Sequence, residues 1–260
     1  RIEHKFSRCR GDSIVSRINA AAGLAAVECD AETLSLLAFA DSVYRSSGGL
    51  FDITTGALGP GADRQTSRLP APERPAEWRS LSGWQQVQRD GRHVRLAQPG
   101  MAIDFGSFGK AYAADRAATL MRARGAKHGY VNLAGDLRVL GPKPDGEPWM
   151  IGIQDPRRRG EVIATIPVCQ GGLATRGDSE RGLAQGGQPH GHRLDRGAGW
   201  PVGPWRAVSV LAPQAVVAGN CGTIALLKQA DGLGYLQASG LNYLAMDQHG
   251  AIHTRLAAAA

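Results

Sequence analysis

Strand-like runs outnumber helix-like stretches along this chain and do not alternate with them, and that order limits the fold more than any other feature. In the second half, residues 129–133, 136–140, 149–153, 162–168, 207–211, 241–246 and 251–254 read as strands. One helix interrupts them, opening at Pro213 and running to about Lys228. In the first half, Asp30 stands where an N-cap would, Glu32 falls in the first turn, and Leu34, Leu37, Val43 and Tyr44 recur at mixed three- and four-residue spacing. That pattern predicts an amphipathic helix ending near Ser46 and stopped by Gly48-Gly49. Strand-like runs at 92–96 and 101–104 then lead through a glycine-bearing turn to a helix from about Lys110 to Arg124, closed by Gly125. A doubly wound fold needs strands and helices in alternation, so the chain is expected to be α+β, with largely antiparallel sheets and a few packed helices.

At 260 residues the chain can bury a large core without disulfides or metals. We read it as a single domain over 1–260. Residues 56–75, GALGPGADRQTSRLPAPERP, are too rich in Gly and Pro for any element, which predicts a surface excursion placed at 59–76. No apolar run approaches the ~18 residues that would cross a bilayer. A net charge of +7 raises the question of nucleic acid. Apart from Arg157-Arg158-Arg159, however, the arginines are spread out, and only 6% of residues are aromatic, without the interleaving that would stack bases. A small anionic ligand suits this balance better. The cysteines, Cys9, Cys29, Cys169 and Cys221, form no C-x-x-C pair and have no His at zinc spacing.

The densest signal for chemistry is the stretch MAIDFGSFGKAY at 101–112. A run ends in a carboxylate, Asp104; Gly106 and Gly109 let backbone N–H groups approach a ligand; and a helix starts at Lys110 with its positive dipole end. Those residues suit an anion site and an ordinary strand-to-helix turn about equally. It is not a Walker A loop, because Asp104 replaces the first Gly and Ala111 the Ser/Thr that would hold magnesium. Farther on, Asn132 and Asp136 bracket a Gly that suggests a bulge. Residues 175–181 read as a charged turn, and His190, His192 and Asp195 offer a base and a carboxylate.

The order of the segments carries further. FSRCRGDSIVSRIN (6–19), FDITTGAL (51–58), IDFGSFGKAYAAD (103–115), VNLAGDLRVLG (131–141), IGIQDPR (151–157), ATRGDSER (174–181) and HRLDRGAGWPV (192–202) together resemble the ApbE family. The resemblance implies an enzyme that splits the pyrophosphate of FAD with magnesium, releases AMP, and joins FMN by a phosphoester to a Thr or Ser of an acceptor flavoprotein. It implies flavin-nucleotide contacts at Asp104 and Lys110, with Gly106, Gly109, Asn132, Asp136, Thr175, Gly177 and Asp178 completing the expected FAD site. Metal contacts are implied at the Ser107 carbonyl and at Thr223, and a catalytic role beside the reacting phosphate at His192. Nucleic acid is not an expected partner, and a membrane only through a lipid anchor ahead of Arg1; family likeness points to the periplasmic side of a bacterial inner membrane, with the cytoplasm as the alternative.

This chain also departs from the pattern. Cys9 stands where the family has a flavin-contacting Tyr, Arg176 where T-S-G-D-Y has its Ser, and Ala198 where D-P-R-T-G has its Thr. The family's N-terminal Met-Gly-Thr strand is missing. Gly219 takes the place of the Asp four residues before the metal-binding Thr, and its neighbour Asn220 is turned about 100° away. Gly219 and Gly222 predict a loosened helix, and a carboxylate returned at 219 is expected to strengthen magnesium binding. Two rivals to transfer are an FAD-binding carrier or weak pyrophosphatase, and a non-catalytic scaffold for a partner protein.

Overall fold

The structure is a computed structural model that describes residues 1–55, 80–158, 160–177, 183–185, 188–190 and 203–256. The excursion placed at 59–76, together with Asp178, His192 and Asp195, lies outside the described residues, and of His190 only the backbone is described. The chain divides into two compact units, Arg1–Gly109 with Gly182–Pro201, and Lys110–Arg181 with Val202–Ala260.

The first unit opens with α1 (Ile2–Phe6), α2 (Ile14–Ala20), β1 (Val27–Glu28), α3 (Ala31–Ser46), β2 (Val87–Asp90) and β3 (His93–Leu96). Helix α3 forms where the sequence predicts it. Asp30 Oδ1 accepts the Thr33 N–H at 3.0 Å and the Thr33 hydroxyl at 2.6 Å, satisfying a first-turn donor. Leu36, Leu37, Ala40 and Val43 turn inward, and Gly48 and Gly49 leave the helix with φ of +68° and +85°, a conformation that favours glycine. The three strands pair antiparallel in the order β1-β3-β2. Phe105 packs between Phe6 and Phe108, with centroid separations of 5.6 and 5.1 Å. The strand expected at 101–104 does not form. Ala102 makes only an isolated parallel bridge to Thr55, because Ile103 gives its backbone N–H and C=O to the Asn19 side chain instead.

Chain order continues with α4 (Gly109–Ala123), whose first residue closes the first unit, and then β4 (Gly129–Leu133), β5 (Asp136–Gly141), β6 (Trp149–Gln154), β7 (Val162–Val168) and β8 (Gly171–Gly177). The antiparallel hairpin of β9 (Leu183–Gln185) and β10 (Gln188–His190) belongs to the first unit. The second unit resumes with β11 (Trp205–Ala212), α5 (Ala215–Leu227), α6 (Gly232–Ala238), β12 (Asn242–Asp247) and β13 (Ile252–Arg255). Six of its described strands build a sheet in the order β13-β12-β11-β8-β5-β4, antiparallel at every step, and β6 and β7 pair antiparallel as a separate two-stranded sheet.

Alternation along the strands separates the two faces of that sheet. Ala174, Val208, Val210, Tyr243 and Ala245 pack with Ala218, Cys221, Ala225 and Leu226 of α5 and Leu236 of α6. Leu137, Val139, Leu173 and Leu244 pack with Ile153, Ile166 and Val168 of the β6-β7 pair. Helix α5 is thus covered on every side, as its nearly unbroken apolar sequence requires. Strand β8 and helix α6 escape the sequence pattern. A Cβ at Gly172 would collide with the backbone of Gln214 and Ala215, so close approach to the start of α5 explains that glycine.

Candidate functional site

In the first unit, Asp104 is held from two directions. Asn19 Nδ2 donates to the Ile103 carbonyl at 3.0 Å while its Oδ1 accepts the Ile103 N–H at 2.8 Å. The Asp104 N–H donates to the Ile53 carbonyl at 2.9 Å. Ile53 belongs to FDITT, and that motif is a brace. The buried Asp52 carboxylate accepts the Thr54 N–H at 2.8 Å, the Thr54 hydroxyl at 2.6 Å and the Trp84 N–H at 3.1 Å, and Thr54 Oγ1 accepts the Gly83 N–H at 2.7 Å. So fixed, Asp104 caps the single 3-10 turn Phe105–Ser107, accepting the Gly106 N–H at 2.7 Å. A Cβ at Gly106 would stand 3.0 Å from Asp104 Oδ1, so a larger residue there would press on the carboxylate.

Arg8 Nε lies 3.3 Å from the Asp104 carboxylate, a partner that motif reading misses because Arg8 is one of several arginines in the opening segment. Ser107 Oγ is buried without a hydrogen-bond partner among the described residues, and buried hydroxyls seldom go unpaired in the absence of water or ligand. At Gly109, where a Cβ would meet nothing within 4 Å among the described residues, α4 begins, and Lys110 is exposed in its first turn. The start of α4, which belongs to the second unit from Lys110 onward, therefore offers an anion a lysine and the first-turn N–H groups of a helix, which lack intrahelical carbonyl partners. The Gly106 N–H is already taken by Asp104.

In the second unit the expected FAD residues serve several purposes. Ala134 and Gly135, with φ of +53° and +87°, form a two-residue hairpin turn between Leu133 and Asp136, so the bulge suggested there is a turn instead. Asn132 is exposed, and its Oδ1 accepts the Gly135 N–H at 3.0 Å. Thr175 to Gly177, read as the start of a turn, are the end of β8, opposite Ala207–Ser209 of β11. Thr175 Oγ1 and Ser209 Oγ lie 2.8 Å apart. A Cβ on Gly177 would collide with the Arg206 carbonyl, which accounts for that glycine by packing. Asp136 and Arg176 form a buried ion pair, Oδ1 to Nη1, at 2.5 Å.

The expected metal residues do not fit a divalent cation at α5. Thr223 Oγ1 donates to the Gly219 carbonyl at 2.8 Å, position 219 offers no carboxylate, and the Arg176 guanidinium lies against the Gly219 backbone. Magnesium takes oxygen ligands with one or two carboxylates among them, and a fixed guanidinium repels it. Among the described residues, no cluster of three or more His, Cys, Asp or Glu side chains could hold a metal ion.

The ApbE family matches residues 1–245 of this chain. The FAD:protein FMN transferase of Treponema pallidum is 30% identical over 262 residues, covering 92% of this chain and 70% of that protein. The enzyme of the same name from Haemophilus influenzae is 27% identical over 234 residues, covering 85% and 68%, and that from Salmonella typhimurium 29% identical over 223 residues, covering 82% and 64%. The chain thus spans about two thirds of the length of these relatives. Among solved structures, the ApbE protein of Thermotoga maritima superposes with a TM-score of 0.89 at 30% identity, over 97% of this chain and 84% of that one. The flavinyl transferase ApbE of Pseudomonas stutzeri gives 0.82 at 27% identity, over 97% and 82%.

Proposed function

The chain belongs to the ApbE family, and on that premise we propose that it transfers the FMN moiety of FAD to a Thr or Ser hydroxyl of an acceptor flavoprotein, with release of AMP. The observation that carries the reading is the Asp104 turn. A carboxylate clamped through Asn19 and Ile53 stands three residues before a buried hydroxyl without a hydrogen-bond partner among the described residues and six before an exposed lysine at a helix start. Packing alone requires none of the last three features.

In the proposed reaction the acceptor oxygen attacks the FMN phosphorus, its proton passes to a base, and the P–O bond to AMP breaks with the electron pair leaving on AMP. Such transfer needs the phosphates positioned and their charge offset. Lys110 and the first turn of α4 supply both at one end of the nucleotide. Asp104, kept in place by Gly106 and Arg8, is a fixed acceptor suited to an N–H or hydroxyl of the flavin nucleotide. His192, matched by resemblance to a histidine near the reacting phosphate, serves as base or as orienting donor in this reading, since a neutral imidazole takes a hydroxyl proton near pH 7.

The test is incubation of the purified protein with FAD and an acceptor flavoprotein. AMP is measured by chromatography, and acceptor-bound flavin by fluorescence after denaturing electrophoresis. Transfer gives equal amounts of both products. Flavin that binds without AMP release makes the protein a carrier, and absence of flavin binding leaves only the scaffold reading.

A further inference from the structure

We propose that the Arg176 guanidinium is a resident cation between β8 and α5, that it takes the place a divalent metal would need there, and that this face therefore binds no magnesium. The inference rests on the flavin-transfer reading only for what the charge is used on. Its structural part stands in the second unit alone.

Space comes first. Gly219 and Gly222 lie three residues apart on α5 and so share a face. The Arg176 side chain runs along that face, its stem against Gly222 and its head against Gly219. A Cβ on Gly222 would stand 3.3 Å from Arg176 Cγ, and one on Gly219 would collide with Nη2 and stand 3.0 Å from Cζ. The two glycines that seem to weaken α5 are thus the groove that admits a buried arginine. A side chain returned at 219 would have to displace the guanidinium before it could reach a metal.

Charge comes second. Among the described residues Asp136 is the carboxylate paired with Arg176, and one carboxylate against one guanidinium leaves no surplus negative charge among them for a dication. Relative to the family pattern, the chain loses a carboxylate at 219 and gains a guanidinium at 176. The two changes together add two positive charges, as many as a magnesium ion carries.

Hydrogen bonding comes third. Arg176 Nη1 donates to the Thr175 carbonyl at 3.0 Å, but Nε is buried without a hydrogen-bond partner among the described residues. Both amide atoms of Asn220, which is 4% exposed, are also unpartnered among them. A guanidinium N–H and a carboxamide N–H in reserve suit oxygen acceptors such as a phosphate. A metal ion could use neither N–H, and the Asn220 amide oxygen left to it carries no net charge to offset the guanidinium.

The experiment measures FAD binding by flavin fluorescence in EDTA and with added manganese, following bound manganese by electron paramagnetic resonance. Parent protein is compared with the paired variant R176S/G219D. The parent is expected to bind FAD within about twofold equally in both conditions and to show no saturable manganese site. The paired variant, its fold checked by circular dichroism, is expected to gain a manganese site and to bind FAD at least tenfold tighter with the metal. A stoichiometric manganese site in the parent that is lost in Thr223→Ala overturns the assignment, whether or not the paired variant folds. So does a folded paired variant indifferent to manganese. AMP release by the parent should be unchanged in EDTA, and a tenfold fall there also overturns it. Absence of AMP release in both conditions instead refutes the transfer reading, and the manganese titration still decides this one.

Discussion

The carboxylate of Asp115, on α4, accepts the backbone N–H of Ala215 at 3.0 Å and that of Val216 at 2.9 Å, so one helix caps the start of another. Gln214, at the N-cap position of α5, forms no side-chain cap bond among the described residues, and Asp115 takes over that role. Arg138 Nε lies 3.6 Å from the same carboxylate. Burial pushes the Asp115 pKa above the ordinary aspartate value, while the two N–H groups and Arg138 pull it back. Since loss of a capping side chain costs ~0.5–2 kcal/mol, Asp115→Ala should destabilise the protein by about that much in urea unfolding. Asp115→Asn keeps one acceptor oxygen and should lose less. Equal stability of the alanine variant and the parent would show that water caps α5 as well as Asp115 does.

Lys110 is exposed and stands at the helix start beside the Asp104 turn. Lys110→Ala should therefore leave stability within about 0.5 kcal/mol, as exposed substitutions do, yet weaken FAD binding. Fluorescence quenching titrations read the affinity directly. An unchanged dissociation constant removes Lys110 from the site.

His192 is tested by rate. Loss of a general base typically lowers turnover by ~10²–10⁴, so His192→Ala should bind FAD with parental affinity and transfer FMN slowly. Transfer at the parental rate sinks the assignment.

Acid should weaken the first unit through Asp30. Its hydrogen bond from Lys5, followed by those from the Thr33 hydroxyl and N–H, lowers its pKa from 3.8 to about 2. A carboxyl whose folded pKa is depressed adds stability that is fully present above the unfolded value and is lost as pH falls through the folded one. Melting temperature should consequently drop between about pH 4 and pH 2. In Asp30→Asn, which keeps an oxygen for the Thr33 N–H, that part of the drop should disappear. Identical acid profiles for the two proteins would rule out this ion pair as a contributor.

What could be read from the sequence follows from how local each interaction is. The Asp30 cap and the glycine stop of α3 lie within one stretch of chain and appear as expected, whereas of the expected apolar stripe Leu37 and Val43 are buried and Leu34 and Tyr44 are only half-buried. Alternating strands such as β7 were equally legible. The strand expected at 101–104 was misread because Asn19, distant in sequence, takes the hydrogen bonds a neighbouring strand would have supplied. Strand β8 is hidden because its glycines answer to backbone distant in sequence, Gly171 to Ala212, Gly172 to Gln214 and Ala215, and Gly177 to Arg206. At the candidate site, the carboxylate-glycine-lysine order of 104–110 was visible. Arg8 was not, and Gly219 read as a missing ligand because nothing local to α5 shows that an arginine on β8 fills the space.

That arginine also reverses the expected sign of a helix substitution. Gly219 lies inside α5, where Gly is worse than Ala by ~1 kcal/mol, so propensity alone makes Gly219→Ala stabilising. The added Cβ, however, would collide with Arg176 Nη2 and crowd Cζ at 3.0 Å. The guanidinium cannot simply swing aside, because its stem is packed against Gly222 and its head is tied to Asp136 and the Thr175 carbonyl. Overpacking a filled interior costs ~1–3 kcal/mol, and parting a buried charge from its partner adds to that. Gly219→Ala should therefore destabilise the protein on balance. In an Arg176→Ser background the collision is gone, and the same substitution should be neutral or stabilising. Urea unfolding of the four proteins in this cycle isolates the coupling between the two positions. A coupling indistinguishable from zero would mean that Arg176 does not occupy the space above Gly219 in solution.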